Sequence, residues 1–228
     1  MIRKSFDNCP NRGLVPRVLE YLWTTIGHNP SYRFACSFYE IYQEKIFDLL
    51  DATIPTVVGG GVISPGAAVT PLTVREDTEL GVYVEGCNEI IVQSLGDVNQ
   101  LLSQGYKNRH VGETAMNRQS SRSHAVFQLL LNRAEKNKIT GVTRIVKARF
   151  SMVDLAGSER QNGTLVSGMR LKEANTINKS LTCLGRVINE LIATPNLRGK
   201  RKRHINYRDS KLTFLLRDSL GGNSKVCV

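Results

Sequence analysis

The chain is short of paired cysteines, of long apolar runs and of acidic residues, and each shortage excludes something or narrows the choice of partner. Its five cysteines (Cys9, Cys36, Cys87, Cys183 and Cys227) are odd in number, scattered and without a C-x-x-C pair. That spacing argues against a disulfide scaffold and against a zinc site, and it fits a reducing compartment. No apolar run reaches the roughly 18–20 residues of a membrane-spanning helix. The first ten residues, Met1 to Pro10, lack the apolar stretch of a secretory signal. Acidic residues are outnumbered, 20 Asp and Glu against 31 Lys and Arg, which leaves a net charge of +11. Such a surface attracts a polyanion. Composition admits nucleic acid, an acidic membrane or an acidic protein filament. No DNA- or RNA-recognition motif accompanies the charge, so neither nucleic acid nor membrane is the expected partner.

What is present is the mixture of one globular domain, for which 228 residues suffice. Residues 14–26 read as an amphipathic helix, with Pro16 acceptable in its first turn. Arg33 to Leu50 alternates apolar and polar residues, which predicts strand at least as far as Tyr42. Residues 52–71 contain three prolines and four glycines and predict a flexible surface loop. A strand-like piece at Val82–Val84 and a helix from Asp97 to Gly105, capped by Asp97, come next. Ala125–Arg133 and Thr143–Val153 predict two strands joined by a polar turn. Asn178–Ile192 predicts a helix whose buried face carries Leu181, Leu184, Ile188, Leu191 and Ile192. Asp209 or Ser210 caps a short helix through Leu216, and Val226–Val228 reads as the start of a buried strand. The pattern predicts an α/β fold, a sheet covered by helices on both faces.

Two segments carry the chemistry. Asp154 ends an apolar strand, and ligands in open α/β sheets bind beyond such ends. A carboxylate there can order the water shell of Mg²⁺, and Gly157, without a β-carbon, lets its N–H approach a phosphate oxygen. In Asn117-Arg118-Gln119-Ser120-Ser121-Arg122-Ser123-His124, one hydroxyl can complete the Mg²⁺ shell while its neighbour orients a water. Arg122 can pair with Glu159, latching the two loops while a γ-phosphate holds both. Taken singly, each segment has a plainer reading: a chance D-x-x-G loop, or a serine-rich turn whose arginine meets solvent.

Together, Asn117–His124 and Asp154–Glu159 are similar to the switch I and switch II pair of kinesin motor domains. The resemblance continues through Arg170-Leu171-Lys172-Glu173-Ala174-Asn175, Ile177-Asn178-Lys179-Ser180-Leu181, Tyr207-Arg208-Asp209-Ser210-Lys211-Leu212-Thr213 and Asp218-Ser219-Leu220-Gly221-Gly222-Asn223. Upstream it takes in Gly13-Leu14-Val15-Pro16-Arg17, Glu40-Ile41-Tyr42 and Asp48-Leu49-Leu50. It implies a partial motor domain over residues 1–228 that uses ATP and Mg²⁺, works on microtubules (tubulin) and resides in the cytoplasm on the cytoskeleton. By resemblance Ser121 ligates Mg²⁺, Asp154 holds a metal-bound water, and Ser120 positions the attacking water. Asn117 and the Gly157 amide bind nucleotide, while Arg122 and Glu159 form the latch, Glu159 also relaying a proton. Hydrolysis moves the 178–192 helix, which lies on the microtubule in this family. The implied microtubule contacts are Lys179, Lys200, Arg201, Lys202, Arg203, Arg208 and Lys211, although a basic loop such as 198–204 can also be an ordinary solvated turn. Phe214 departs from the family pattern, which often has a basic residue there.

No G-x-x-x-x-G-K-[ST] phosphate loop occurs in the chain. Its Gly199-Lys200 pair is followed by Arg201, where Ser or Thr is required. Without that cradle's lysine and backbone amides, the isolated chain is expected neither to bind ATP measurably nor to hydrolyse it. Strands missing from such a partial domain would leave sheet edges and apolar faces exposed. Two functions follow: an ATP-driven microtubule motor represented by part of its domain, or a nucleotide-independent microtubule-binding module.

Overall fold

The computed structural model describes residues 13–51, 70–79, 81–111, 122–157, 169–193 and 204–227. Its backbone is an antiparallel sheet of β1 (Tyr32–Tyr42), β2 (Lys45–Asp48), β5 (Ile90–Val92), β6 (His124–Lys136) and β7 (Thr143–Asp154), in the order β2-β1-β6-β7. One edge of β1 pairs along its length with β6, and β2 and β5 share the other edge. A separate hairpin joins β3 (Thr73–Asp77) to β4 (Gly81–Glu85). The helices are α1 (Leu14–Leu22, continued by a π-helical turn to Gly27), α2 (Leu95–Val111), α3 (Met169–Ala193), α4 (Lys211–Leu215) and α5 (Arg217–Gly221).

Side chains alternate across a strand, and both faces of the central strands are buried. Phe34, Cys36 and Phe38 of β1 and Ala125, Phe127 and Leu129 of β6 face α1 and α2, meeting Val15, Leu19, Trp23, Val98 and Leu102. Tyr39, Ile41 and Val126 face the other way, against Ile46, Val74, Val82 and Leu212. The α/β layering with helices on both faces therefore follows from the apolar residues of β1 and β6. At β7, the edge among the described strands, Thr143 to Phe150 are exposed.

Several boundaries differ from the sequence reading. The Arg33–Leu50 stretch, read as strand at least to Tyr42, ends its first strand there and reverses at Gln43 and Glu44, whose φ angles are +49° and +59°. Left-handed backbone costs a non-glycine residue about 1–3 kcal/mol. The turn persists because it folds β2 back and buries Ile46, Leu49 and Leu50, each worth roughly 1.5–3 kcal/mol. The Glu44 carboxylate also accepts the Lys211 N–H at 2.8 Å, tying the turn to the start of α4. Ser94, not Asp97, caps α2. Its Oγ accepts the Asp97 N–H at 3.1 Å while Asp97 accepts the Ser94 N–H at 2.9 Å, a reciprocal capping box. Of the two candidate caps for α4, Ser210 serves, accepting the Thr213 N–H at 3.1 Å. Asp209 instead pairs with Arg186 at 3.0 Å.

The α3 face also shifts. Among its described side chains Ser180, Cys183 and Val187 are buried; Leu181, Leu184, Ile188 and Leu191 of the expected face are half-buried, whereas Ile192 is 74% exposed. Val226, expected in a strand, is 51% exposed. No strand pairs with residues 224–227 among those described, so no ladder forms there. Residues 52–69 of the expected loop, and Val228, lie outside the described residues.

The helix expected to stop at Gly105 instead runs to Val111. A β-carbon at Gly105 would overlap the Phe38 ring, so glycine here is a packing requirement and not a stop signal. Gly105→Ala is expected to destabilise the protein by about 1–3 kcal/mol through overpacking, despite alanine's better helix propensity. Urea denaturation measures the difference, and a gain in stability would refute the packing argument.

Candidate functional site

Register brings the two chemical segments together. Ala125 pairs with Asp154, and on its other side with Glu40, so three adjacent strands carry Glu40, Ala125 and Asp154 in one row. Directly paired residues point to the same face, here the α2 face. The segment that ends at Ser123 and the loop that leaves Asp154 therefore start side by side.

Arg109 covers this row from α2. Its position continues the helix stripe of Val98, Leu102 and Tyr106, which places a charge on an apolar face. The side chain is 3% exposed, pairs with Asp154 at 3.1 Å and lies 4.0 Å from Glu40. Nε donates to Ser123 Oγ at 3.2 Å and Nη2 to the Ser123 carbonyl at 2.8 Å. A buried charge survives only with this degree of compensation. The guanidinium thus clamps the last residue of β7 to the residue preceding β6.

On the opposite face His124, 3% exposed, makes a second bridge. Its Nδ1 accepts the Ala156 N–H at 2.9 Å, and Nε2 lies 2.8 Å from Ser180 Oγ on α3. An accepting Nδ1 leaves the ring proton on Nε2, which donates to the serine. The ring is neutral. Burial, then the Arg109 charge, push its pKa down to about 4 from the usual 6.5, with Asp154 opposing.

The other expected site residues are distributed as follows. Gly157 lies three residues beyond the end of β7, in a stretch without regular structure. Arg122 is half-buried immediately before Ser123. Asn117, Ser120, Ser121 and Glu159 lie outside the described residues, and with them the Arg122–Glu159 latch. Lys179 is exposed on α3, beside Ser180. Arg208 pairs with Glu76 of β3 at 2.7 Å, and Lys211 opens α4. Lys200 to Arg203 are outside the described residues. Phe214 is half-buried against the second core, with the Arg208 and Arg217 guanidiniums 4.8 and 5.9 Å from its ring centre. Cations therefore still flank position 214. Glu76 also pairs with Arg217 at 2.7 Å, and these two arginines, Arg217 foremost, hold its carboxyl below the usual range.

The sequence reading missed Arg109, Glu40, Ser123 and Ser180 and gave His124 no role. Arg109 had a signal, a charge continuing the Val98–Leu102–Tyr106 stripe. The signal was lost when the helix was ended at Gly105.

A carboxylate at a strand end, a glycine three residues beyond it and Ser123, the last serine of the serine-rich segment, beside that carboxylate match the arrangement of a nucleotide-switch domain. A family model for the kinesin motor domain matches residues 4–228, and the chain belongs to that family. It is 47% identical over 224 residues to the kinesin-like protein KIF15-B of Xenopus laevis, covering 95% of this chain and 15% of that protein. It is 46% identical over 231 residues to KIN-12D of Arabidopsis thaliana, covering 98% of this chain and 8% of that protein. Among solved structures, a fast kinesin superimposes with a TM-score of 0.74 at 40% identity, covering 97% of this chain and 56% of that one. A KIF14 dimer bound to AMP-PNP and a microtubule gives 0.75 at 40% identity, covering 94% and 57%. The chain thus spans a small part of its full-length relatives and somewhat over half of the solved kinesin chains.

Two outcomes are expected. Arg109→Ala removes the buried cation that faces Asp154 and Glu40 and should cost about 3 kcal/mol or more in urea denaturation; a loss below about 1 kcal/mol would show that the cluster is solvated. For His124, whose folded pKa lies below its unfolded value, the unfolded state binds more protons between pH 6.5 and about 4. Stability is therefore full above the unfolded pKa and falls as pH drops through that window, by about 3 kcal/mol in total. Thermal unfolding from pH 7.5 to 4.5 should show this slope in the wild type and a flatter one in His124→Asn.

Proposed function

We propose that residues 1–228 form part of an ATP-dependent microtubule motor, in which the segments around Ser120–His124 and Asp154–Glu159 respond to the γ-phosphate. The observation that carries this reading is the Ala125↔Asp154 pairing, which starts both segments side by side at one end of the sheet. Family membership supports it, as does the complex of the related KIF14 dimer with AMP-PNP and a microtubule.

The described part of the site fits a nucleotide-bound Mg²⁺. Arg109 engages Asp154 Oδ2, while Oδ1 has no hydrogen-bond partner among the described residues and the side chain is 34% exposed. Oδ1 can therefore accept from a metal-bound water, with Ser121 as the direct ligand. When bound, Mg²⁺ neutralises charge developing on the phosphate oxygens. Ser120 orients the attacking water, Asn117 and the Gly157 amide hold the nucleotide, and Glu159 pairs with Arg122 and takes part in the proton relay. Catalysis is then positioning and electrostatics.

The partner is the acidic surface of tubulin, met by a chain of net charge +11 through Lys179, Lys200, Arg201, Lys202, Arg203, Arg208 and Lys211. The protein then works in the cytoplasm, on the microtubule cytoskeleton.

The test is co-sedimentation of the full-length protein with microtubules over a salt series, with ADP or AMP-PNP, paired with turnover measurements. A motor shows affinity that falls with salt and differs between nucleotides, and Glu159→Ala lowers microtubule-stimulated turnover about 100-fold or more. Salt-sensitive binding indifferent to nucleotide would select the nucleotide-independent binding module instead. Absence of salt-sensitive binding would overturn both.

A further inference from the structure

The His124 ring is more than core filling. Three groups meet around it from distant parts of the chain: the strand start that follows the serine segment, the loop that leaves Asp154, and the first described turn of side chains on α3. His124, Ala156 and Ser180 are each no more than 4% exposed. The two hydrogen bonds are short, and they use both ring nitrogens in complementary senses. One end holds the backbone one residue before Gly157, and the other holds the residue next to exposed Lys179. A change at the loop therefore has a direct, two-bond path to the helix that bears the expected filament contact.

We propose that His124 is a positioning residue that couples the loop carrying Gly157 to α3, through Ala156 N–H on Nδ1 and Ser180 Oγ on Nε2. This rests on the motor reading above, and it adds a specific link which that reading does not require. The neutral ring is essential, since a proton on Nδ1 would abolish its ability to accept from Ala156. An apolar residue of the same size would fill the space but transmit nothing. Ser180 is the second half of the device, because without its hydroxyl the ring holds the loop yet releases the helix.

The experiment compares wild type, His124→Asn, Ser180→Ala and the double variant of the full-length protein. Microtubule dissociation constants are measured with ADP and with AMP-PNP, alongside the affinity for a fluorescent ATP analogue. Wild type should show a ratio between the two nucleotide states in the range of about 5- to 150-fold that coupled sites display. Either single variant should collapse that ratio toward one. The double variant should be no worse than the singles, as expected for two residues in one link. Ser180→Ala should keep its affinity for the ATP analogue, which separates lost coupling from a damaged nucleotide site. Histidine ¹⁵N NMR should report the Nε2–H neutral tautomer at pH 7, a signature that mere packing does not impose.

If wild type responds to nucleotide and the variants respond equally, the coupling role is overturned while the motor reading stands. Additive losses in the double variant, or the Nδ1–H tautomer, would overturn it too. A wild type whose filament affinity ignores nucleotide would bring down the motor reading and the coupling with it.

Discussion

A guanidinium with 3% of its side chain exposed, placed over a β-sheet, is an expensive object, and its surroundings are arranged to compensate it. Arg109 needs Asp154 and Glu40 for charge and Ser123 for two further hydrogen bonds. Those partners lie on β7, β1 and the entry to β6. Satisfying one side chain therefore fixes the ends of three strands relative to one another and relative to α2. Because Gly105 admits the Phe38 ring, α2 can lie close enough to the sheet for Arg109 to reach them. Packing and electrostatics at this point depend on each other.

The start of β6 sends consecutive residues to opposite faces. Ala125 sits on the α2 side, in the row compensated by Arg109, and His124 sits on the α3 side. A period of two converts adjacent sequence positions into contacts on separate layers. The site can thus be held rigidly from one face while its other face touches an element outside the sheet. Burial keeps the histidine neutral, so the second contact is a plain acceptor–donor relay and not a salt bridge.

The basic surface is less uniform than its composition suggests. Arg208 and Arg217 share the Glu76 carboxylate and flank the Phe214 ring. Asp218 in turn accepts the Val82 N–H of β4 at 2.8 Å. The β3–β4 hairpin and the α4–α5 segment are joined by these contacts, so part of the positive charge is structural. Lys179, exposed on α3, is presented toward solvent.

Much was legible in the sequence. Apolar, β-branched and aromatic residues marked β1, β6 and β7; on β1 and β6 they fill both faces of the sheet, whereas Thr143 to Phe150 of β7 stay exposed. The motifs Asn117–His124 and Asp154–Glu159 carried the resemblance to the family, since chemistry on a phosphate requires particular residues at short, local intervals. Boundaries were less legible where a local signal served a distant need. Gly105 looked like a helix stop but accommodates Phe38, and Gln43–Glu44 lacks turn glycines yet reverses the chain to bury Ile46. Arg109 showed only as a charge on an apolar stripe and Ser180 not at all, and the partners of both were invisible, because they lie far along the chain and only strand register and helix docking bring them together. The sequence by itself determined which groups exist and their local order. The tertiary structure alone decided which buried donors meet which acceptors, because a buried polar group selects its partner by proximity in space.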